Sequence, residues 1–331
     1  MEQLLQVNDL VTQFRTAEGN LSAVRGVSFS VNKGETLCVV GESGCGKSIT
    51  SLSIMGLLPS NGAITGGSIL FNDEELTTKT EDQLRRLRGN QISMIFQEPM
   101  TALNPVFTIG YQLREPLMIH RNMTKNEASR KAVELLEEVG IPDPVKKLKQ
   151  FPHELSGGMR QRVMIAMALA CKPSLLIADE PTTALDVTIQ AEILDLIDDL
   201  KRDMDMGVVF VTHDMGVVAE IADRVMVMYA GEVVEIGNVE DIFNDPQHPY
   251  TKGLLASVPN IDEESKTFDA IPGTLPNLNE KIDGCRFHPR CPFATDKCRE
   301  QSPPAFSVGE THQSKCWLQE VNNNVESANP S

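Results

Sequence analysis

The chain has 331 residues, of which 41% are hydrophobic and 23% charged, and its formal net charge at pH 7 is −16. This length predicts one large or two unequal globular domains, which can bury a sizeable core without disulfide support. The acidic balance argues against nucleic acid or an anionic lipid surface as a general partner, because no diffuse positive field attracts phosphate groups.

The N-terminal sequence predicts strands, and no secretion signal or membrane-spanning segment is predicted. Its first residues, MEQLLQVNDLV, lack the basic region and the apolar core of a secretion signal. No stretch approaches the roughly 18 apolar residues that a spanning helix needs, so we expect the protein in the cytosol. Short, turn-bounded segments rich in β-branched residues predict strands at 4–14, 24–32, 35–41 and 67–72.

A glycine-rich stretch, GESGCGKS, occupies residues 41–48 at the end of the third predicted strand. Gly41, Gly44 and Gly46 let the backbone curl so that successive N–H groups point inward, and such a nest binds anions. The stretch fits the pattern G-x-x-x-x-G-K-[ST], in which Lys47 reaches the β- and γ-phosphates and the Ser48 hydroxyl ligates Mg²⁺. The helix that follows directs its N-terminal dipole at the phosphates. The alternative is an ordinary glycine-rich turn between a strand and a helix.

Two helices are predicted in the middle of the chain. Before them, ISMIF predicts a strand that ends at Gln97, whose amide could contact both a metal ion and a water molecule. The segment 127–139 has apolar residues near a helical period and is closed by Gly140, which predicts a helix with a defined end. The second helix is predicted to begin near Ser156 and to end before Pro173.

The N-terminus of the second helix carries the sequence LSGGM, residues 155–159. A serine and two glycines at an exposed helix N-terminus form another anion-binding surface. A compact domain already has one triphosphate site at residues 41–48. The second surface therefore indicates a nucleotide held by another subunit.

Two apolar runs, SLLIAD at 174–179 and GVVFVTH at 207–213, flank a helical stretch at 187–202. This alternation predicts right-handed crossovers and a parallel sheet, whose ligands lie beyond the carboxyl ends of the strands. At that edge Asp179 would hold magnesium, and Glu180 would accept a proton from the attacking water. The alternative is a pair of solvated acids at a strand end.

His213, at the end of GVVFVTH, could contact the γ-phosphate. By itself, His213, like Gln97, is more often a surface or structural residue. The stretch DRVMVMYAGEVVEIG predicts a hairpin with Ala230 and Gly231 at its turn. From about Asp241 the chain is rich in proline, polar residues and cysteine, and its end, EVNNNVESANPS, is predicted to be disordered.

Six motifs in chain order resemble those of ATP-binding cassette (ABC) ATPases. GESGCGKS, Gln97, LSGGM, LLIADE, ALD (184–186) and His213 are similar to the Walker A, Q-loop, signature, Walker B, D-loop and H-switch motifs, over about residues 4–240. The resemblance implies an α/β P-loop NTPase with a parallel core sheet, an antiparallel β subdomain and a helical subdomain. It also implies a head-to-tail pair of such domains, with two ATP molecules held between the Walker A motif of one and the signature of the other.

The resemblance also implies specific residues for ATP and Mg²⁺. The expected catalytic residues are Glu180, His213 and Gln97, and the expected Mg²⁺ ligands are Ser48, Gln97 and Asp179. The expected ATP-binding residues are Phe14, Gly41, Glu42, Ser43, Gly44, Cys45, Gly46, Lys47, Ser48, Ile49, Gln97, Ser156, Gly157, Gly158, Asp179, Asp186 and His213.

Two positions depart from the usual pattern of the family. The signature reads LSGGM where LSGGQ is commoner, so the fifth-position amide is missing, while the serine and glycine contacts to phosphate are retained. Phe14 matches the aromatic residue that stacks on adenine, which is usually tyrosine; the alternative is a buried core aromatic. Glu180 is intact, which indicates that the ATP site containing this Walker B motif can hydrolyse.

Four of the seven cysteines lie near the C-terminus, in the frame CRFHPRCPFATDKC followed by KCW. They are Cys285, Cys291, Cys298 and Cys316. Their spacing does not fit the tight pairs of structural zinc sites, and a cytosolic location disfavours disulfides. A 4Fe-4S cluster accepts more varied spacings. Unligated thiols are the alternative.

The C-terminal part resembles the extension of ATPase subunits from oligopeptide and dipeptide importers, on HPYTKGLLASVP (248–259), IPGTLPNL (271–278) and the cysteine frame. The cysteine set resembles that of family members that carry a 4Fe-4S cluster, and this resemblance implies a cluster on the four cysteines here. The expected domains are an ABC ATP-binding domain at 1–240 with its helical subdomain at about 98–165, a small Cys-rich C-terminal extension at 241–318 and a disordered tail at 319–331.

The resemblance implies an ATP hydrolase that powers the import of oligopeptides or dipeptides. The expected partners are a second ABC ATPase subunit forming a heterodimer, two membrane permease subunits and an extracytoplasmic peptide-binding protein, with no nucleic acid. The family docks a permease coupling helix on the segment after Gln97, EPMTALNPVFTIGYQLREP, so the expected location is peripheral, at the cytoplasmic face of the cell membrane. The alternatives are the same role for nickel, glutathione or another solute, and a soluble ABC ATPase of DNA repair or translation.

Overall fold

The computed structural model describes residues 2–17, 19–97, 102–183, 185–257 and 271–320. The strands are β1 Gln3–Thr16, β2 Gly19–Asn32, β3 Thr36–Val40, β4 Gly62–Phe71, β5 Glu74–Glu75, β6 Ile92–Ile95, β7 Leu175–Asp179, β8 Gly207–Thr212, β9 Arg224–Tyr229, β10 Glu232–Asn238, β11 Phe306–Ser307 and β12 Gln313–Ser314. The α-helices are α1 Lys47–Met55, α2 Glu81–Leu87, α3 Ile109–His120, α4 Lys125–Glu138, α5 Pro144–Lys147, α6 Gly157–Leu169, α7 Val187–Met204, α8 Met215–Ile221, α9 Val239–Asn244, α10 Pro249–Ala256 and α11 Asp296–Glu300. Residues 321–331, most of the tail predicted to be disordered, lie outside the described residues.

The chain folds into two compact units. The helical unit consists of Met1–Leu5, Ser30–Glu35 and Leu70–Val211. The phosphate-loop unit consists of Gln6–Phe29, Thr36–Ile69 and Thr212–Ser331. The glycine-rich residues 41–48 and the C-terminal extension (residues 241–318) therefore belong to the same unit.

A parallel sheet lies at the centre of the helical unit. In it β6 pairs with β7, with Ile92 opposite Leu175, and β7 pairs with β8, with Leu175 opposite Gly207. Every residue of these three strands is buried. Apolar runs of this kind are typical of a parallel sheet that is covered on both faces. The parallel sheet predicted from residues 174–179 and 207–213 is confirmed.

Helix α4 has clear start and stop signals. The Thr124 Oγ1 accepts a hydrogen bond from the Glu127 N–H, and the Glu127 carboxylate accepts one from the Thr124 N–H at 2.8 Å, which forms a capping box. Its buried residues, at a helical period, are Ala128, Ala132, Leu135 and Leu136. Gly140, at φ 69°, follows the helix. The helix predicted at 127–139 is confirmed.

The phosphate-loop unit contains parallel and antiparallel strands. β3 pairs with β9 in parallel, with Leu37 opposite Arg224. β9 and β10 then form an antiparallel hairpin, in which Tyr229 lies opposite Glu232. The two turn residues between these strands, Ala230 and Gly231, have φ angles of 48° and 88°. These positive angles give the turn a twist that matches the flanking strands, and the predicted hairpin is confirmed.

The C-terminal extension packs on strand β10 around a buried carboxylate. Glu235 accepts hydrogen bonds from the N–H groups of Gln247 and His248, and its Oε1 lies 2.7 Å from the His312 Nε2. Burial by itself raises the pKa of Glu235, but the hydrogen bonds from His312 and the two amides outweigh burial and lower the pKa. The carboxylate thus joins three separate segments of this unit.

Candidate nucleotide and cysteine sites

The loop of residues 41–48 is closed around a buried lysine. The side chain of Lys47 lies within the loop, and the residue is only 5% exposed. Its Nζ donates to the carbonyl oxygens of Gly41, at 2.7 Å, and Glu42, at 3.2 Å. An ammonium group held in this way presents a fixed positive charge inside the curl of the backbone. The cation predicted to reach the phosphates is therefore built into the loop.

Glycine is required at two positions of this loop by close backbone contacts. A Cβ atom on Gly41 would lie 2.2 Å from the carbonyl oxygen of Met228, and one on Gly46 would lie 2.7 Å from that of Ala23. Both glycines also have positive φ angles, of 149° and 109°. No other residue type fits this path without moving a neighbouring strand. The loop leads directly into α1, as an anion-binding loop does.

The remaining predicted residues of this unit differ in their exposure. Ser48 and Ile49 are half-buried in the first turn of α1, and Ser43 is exposed. Phe14 is half-buried, and a Cβ atom on Gly62 would lie 2.8 Å from its ring. Half-burial leaves part of the ring surface open to solvent, which suits a ring that stacks on a base. His213 is exposed directly after β8.

The helical unit brings Gln97 and Glu180 together. The Gln97 Nε2 donates to the Glu180 Oε2 at 3.0 Å, and the Thr183 Oγ1 donates to the same oxygen at 3.1 Å. The Glu180 N–H donates to the carbonyl of Val211 at 2.9 Å. Asp179, the last residue of β7, is buried. The structure thus provides a carboxylate with a fixed orientation beside a buried one at the end of a parallel strand.

The signature LSGGM forms the exposed N-terminus of α6. Ser156 is the N-cap residue, and its Oγ accepts a hydrogen bond from the Met159 N–H at 3.3 Å. A Cβ atom on Gly157 would meet open space, whereas one on Gly158 would lie 3.3 Å from Ile189. The first turn of this helix therefore presents its backbone to solvent, as an anion-binding N-terminus requires.

The D-loop lies just before α7. Its last residue, Asp186, is exposed and caps the helix, with its Oδ1 accepting from the Ile189 N–H at 3.0 Å. Ala184 lies outside the described residues. The carboxylate of Asp186 therefore has a structural role as the N-cap of α7.

The four late cysteines share one cavity of about 290 Å³ in the phosphate-loop unit. Gly284 lets the backbone before Cys285 pass close to Cys298, because a Cβ atom on Gly284 would lie 2.4 Å from the carbonyl oxygen of Cys298. The Cys285 N–H donates to that same carbonyl at 2.8 Å. The Thr295 Oγ1 lies 3.3 Å from the Cys298 Sγ. The fold therefore gathers thiols that are separated by as much as 31 positions in the sequence (316 − 285).

None of the seven cysteines, all of which lie within the described residues, forms a disulfide, and burial alters the chemistry of three of the late ones. Burial raises the pKa values of Cys285 and Cys316 to about 11 and also raises the pKa of Cys291. Among the described residues no group of three or more histidine, cysteine or acidic side chains is arranged to hold a metal ion. The shared cavity is thus lined by four thiols that are not arranged as the ligands of a metal ion.

An exposed apolar patch lies at the start of α3. Val106 is 70% exposed, Phe107 41% and Tyr111 44%, and the last two rings stack with their centroids 4.5 Å apart. The patch falls within the segment predicted to dock a permease; residues 98–101 of that segment lie outside the described part. Within the described residues, none of the helices combines the length and the apolar character needed to cross a lipid bilayer.

Two residues that contact the loop are absent from the sequence-based prediction. Arg290 pairs with Glu42, and the Tyr250 hydroxyl accepts from the Glu42 N–H. Both contact residues lie in the C-terminal extension, far from residues 41–48 in the sequence. In the sequence, Arg290 is notable only because it directly precedes Cys291. That position does not indicate that Arg290 pairs with Glu42.

Comparison with known proteins identifies both parts of the chain. The family model described as ABC transporter matches residues 24–183, and the model described as oligopeptide/dipeptide transporter, C-terminal region, matches residues 234–298. Among solved structures, the dimeric post-hydrolysis state of the ATP-binding cassette MJ0796 bound to ADP and Pi superposes with a TM-score of 0.65 at 28% identity. It covers 71% of this chain and 99% of that one. The chain thus has the ABC ATPase fold.

Relatives match over nearly the whole length. The dipeptide transport ATP-binding protein DppD of Bacillus subtilis is 54% identical over 321 residues, which cover 97% of this chain and 96% of that protein. The oligopeptide transport ATP-binding protein OppD of Escherichia coli is 53% identical over 302 residues, which cover 91% and 89%. The similarity includes the extension as well as the nucleotide motifs. The chain belongs to the family of peptide-transport ATP-binding proteins of the ABC transporter class.

Proposed function

We propose that this protein is the ATP-binding and ATP-hydrolysing subunit of an importer for oligopeptides or dipeptides. The observation that carries the proposal is the match of residues 234–298, which include most of the C-terminal extension, to the oligopeptide/dipeptide transporter C-terminal region. Relatives named for dipeptide and oligopeptide transport support it over almost the full chain. ATP binding drives closure of the ATPase pair, and hydrolysis resets it.

In this proposal, the phosphate loop binds the nucleotide phosphates. Lys47 supplies the positive charge, and its two carbonyl contacts hold the ammonium in place. Ser48, Gln97 and Asp179 would hold Mg²⁺, and the ion would supply positive charge that offsets the charge of the phosphates. Phe14 stacks on adenine, and the other loop residues line the phosphates. The closed, glycine-dependent path of the loop supports this assignment.

Glu180 is proposed as the general base. It accepts a proton from the attacking water, and the hydrogen bonds from Gln97 and Thr183 to its Oε2 orient the carboxylate. His213 is proposed to contact the γ-phosphate. Orientation of the base contributes to the rate because proton transfer requires hydrogen-bond distance between the base and the water.

A second subunit is proposed to be contacted by the signature and the D-loop, through Ser156, Gly157, Gly158 and Asp186. The exposed N-terminus of α6 would bind the γ-phosphate of a nucleotide held by another ABC ATPase, in a head-to-tail heterodimer. The open space around Gly157 supports this role, because a phosphate must approach the backbone closely.

The apolar patch of Val106, Phe107 and Tyr111 is proposed as the docking surface for a membrane permease. Exposed apolar groups clustered at one site mark a surface that binds protein. Two permeases and an extracytoplasmic peptide-binding protein complete the proposed importer. The protein would then be peripheral, at the cytoplasmic face of the membrane.

We also propose that Cys285, Cys291, Cys298 and Cys316 hold a 4Fe-4S cluster. Their shared cavity and four-thiol donor set support the proposal. Such a group would cross-link the segments of the extension when bound. Ligation requires thiolates, so metal binding would have to lower the raised pKa values of Cys285 and Cys316.

Elemental analysis tests the cluster. Anaerobically purified protein is expected to contain about four iron and four sulfide per chain, the composition of a 4Fe-4S cluster. The Cys298→Ser variant is expected to lose most of this iron while retaining ATP binding. Zinc without iron in the wild-type protein would overturn the proposal.

Two substitutions test the ATPase assignment. Glu180→Gln removes the base but not the phosphate contacts, so Mg-ATP binding should persist while turnover falls by about 100-fold or more. Lys47→Ala removes the buried cation and should weaken binding itself. Equilibrium ATP binding and phosphate release by the assembled complex measure both effects. Turnover at the wild-type rate in Glu180→Gln would refute the assigned base.

A further inference from the structure

Glu42, the second residue of the phosphate loop, is held on two sides by the C-terminal part of the chain. Its Oε2 accepts a hydrogen bond from the Arg290 Nη1 at 2.9 Å. Its backbone N–H donates to the Tyr250 hydroxyl at 2.9 Å. The Arg290 side chain is only 8% exposed, and that of Glu42 is 28% exposed. This ion pair is therefore sheltered from the solvent that weakens surface pairs.

Arg290 is itself fixed by the extension. Its Nε donates to the carbonyl of Pro272 at 2.8 Å, and its Nη2 lies 3.3 Å from the carbonyl of Gly273. Its guanidinium carbon also lies 5.7 Å from the centre of the Tyr229 ring. A planar guanidinium with several donors can satisfy all these acceptors at once, which lysine cannot do. The guanidinium of Arg290 is thus fixed in position by the extension while it binds Glu42.

Glu42 also contacts Lys47, the residue that binds phosphate in the proposed function. The Glu42 carbonyl accepts a hydrogen bond from the Lys47 Nζ. Leu275, also in the extension, lies beside the loop, 3.6 Å from where a Cβ atom on Gly44 would be. Movement of Glu42 would therefore displace an acceptor of the Lys47 ammonium group.

We propose that Arg290 is a positioning residue for ATP binding, and that the extension sets the shape of the phosphate loop through its contacts with Glu42. The inference rests on the proposed function, since it requires ATP at this loop. It assigns the extension a role in nucleotide affinity. A purely structural ion pair would instead affect only the stability of the folded protein.

The first test measures Mg-ATP affinity of the full-length chain by calorimetry, together with its melting temperature. Arg290→Gln is expected to bind ATP about tenfold more weakly, the loss that corresponds to one charge-assisted hydrogen bond. Arg290→Lys keeps the charge and is expected to recover part of the affinity. Arg299→Gln is the matched control: this extension arginine has a side chain 61% exposed, and the variant should bind ATP as the wild type does.

A double-mutant cycle tests whether Arg290 acts through Glu42. Glu42→Gln alone should weaken ATP binding to a similar degree as Arg290→Gln. The double variant should be little weaker than either single variant, because both remove the same interaction. Fully additive losses would contradict a positioning role through Glu42.

The Lys47→Ala variant separates failure of this inference from failure of the proposed function. If Lys47→Ala binds ATP normally, the nucleotide site itself is wrong. If Lys47→Ala loses affinity while Arg290→Gln and Glu42→Gln lower only the melting temperature, the ATP site stands and the positioning role is wrong. Affinities are measured well below the melting temperature of each variant, so that every sample is folded.

Discussion

At the scale of single residues, the catalytic candidates are held in conformations that the sequence does not reveal. Glu180 has a φ angle of 47°, in the left-handed region that residues other than glycine seldom adopt. Its hydrogen bonds to Gln97 and Thr183 define the direction of its carboxylate. The motif pattern identifies Glu180 and Gln97 as candidates, but their contact depends on the fold.

The glycines of the phosphate loop give a prediction with a matched control. Gly46 and Gly26 both have positive φ angles, but only a Cβ atom on Gly46 would collide with backbone, at 2.7 Å from the Ala23 carbonyl oxygen. Gly46→Ala should lower the free energy of unfolding by about 3 kcal/mol, from strain and overpacking together. Gly26→Ala, which meets open space, should cost about 1 kcal/mol. Denaturant titration of the two variants compares these costs, and equal losses would contradict the close contact.

The sequence predicts the phosphate loop itself because its chemistry is local. Four fixed residues within eight positions, between a strand and a helix, are enough to indicate the nest. The contacts of Glu42 with Arg290 and Tyr250 are different, because each joins residues more than 200 positions apart (250 − 42 = 208 and 290 − 42 = 248). Local sequence patterns do not encode such pairings, because only the fold brings these residues together.

At the scale of secondary structure, helix α6 provides the clearest functional prediction. Ser156→Ala removes its N-cap, which should cost about 1 kcal/mol of stability. The substitution should also weaken ATP-driven association with the partner ATPase, because the Ser156 hydroxyl is a proposed phosphate contact. Thr124→Ala removes the N-cap of α4 and should cost about the same stability without affecting association. Sedimentation with and without ATP separates the two variants; equal association by both would argue against the signature role.

Element types are predictable where the pattern is strong, and two misses have physical causes. Helix α3 lies in the proposed docking segment and contains Pro116, a residue that usually ends a helix. Tertiary packing overrides that signal: Ile109, Leu113 and Leu117 are buried along one face. Strand β4 begins at Gly62, earlier than the predicted residue 67, because glycine-rich sequence resembles a turn.

At the scale of the whole molecule, the extension is part of the unit that carries the phosphate loop. Strand β12 pairs with β10, with Ser314 opposite Glu235. The Glu235 carboxylate of β10 also binds two parts of the extension, His248 at the start of α10 and His312. The sequence indicates an extension by composition and cysteine spacing, but not that it completes a sheet. The same fold that gathers the four thiols places Arg290 on Glu42, so the cysteine region and the phosphate loop are parts of one structural unit.

Peptide uptake into vesicles containing the assembled importer tests the central claim most directly. The complex combines this chain with the proposed partner ATPase, permeases and binding protein, and ATP is supplied on the side of the ATPases. We predict that labelled di- or oligopeptide accumulates with the wild-type chain and that Glu180→Gln reduces this accumulation by about 100-fold, as it does turnover. Undiminished peptide accumulation with Glu180→Gln would contradict the account.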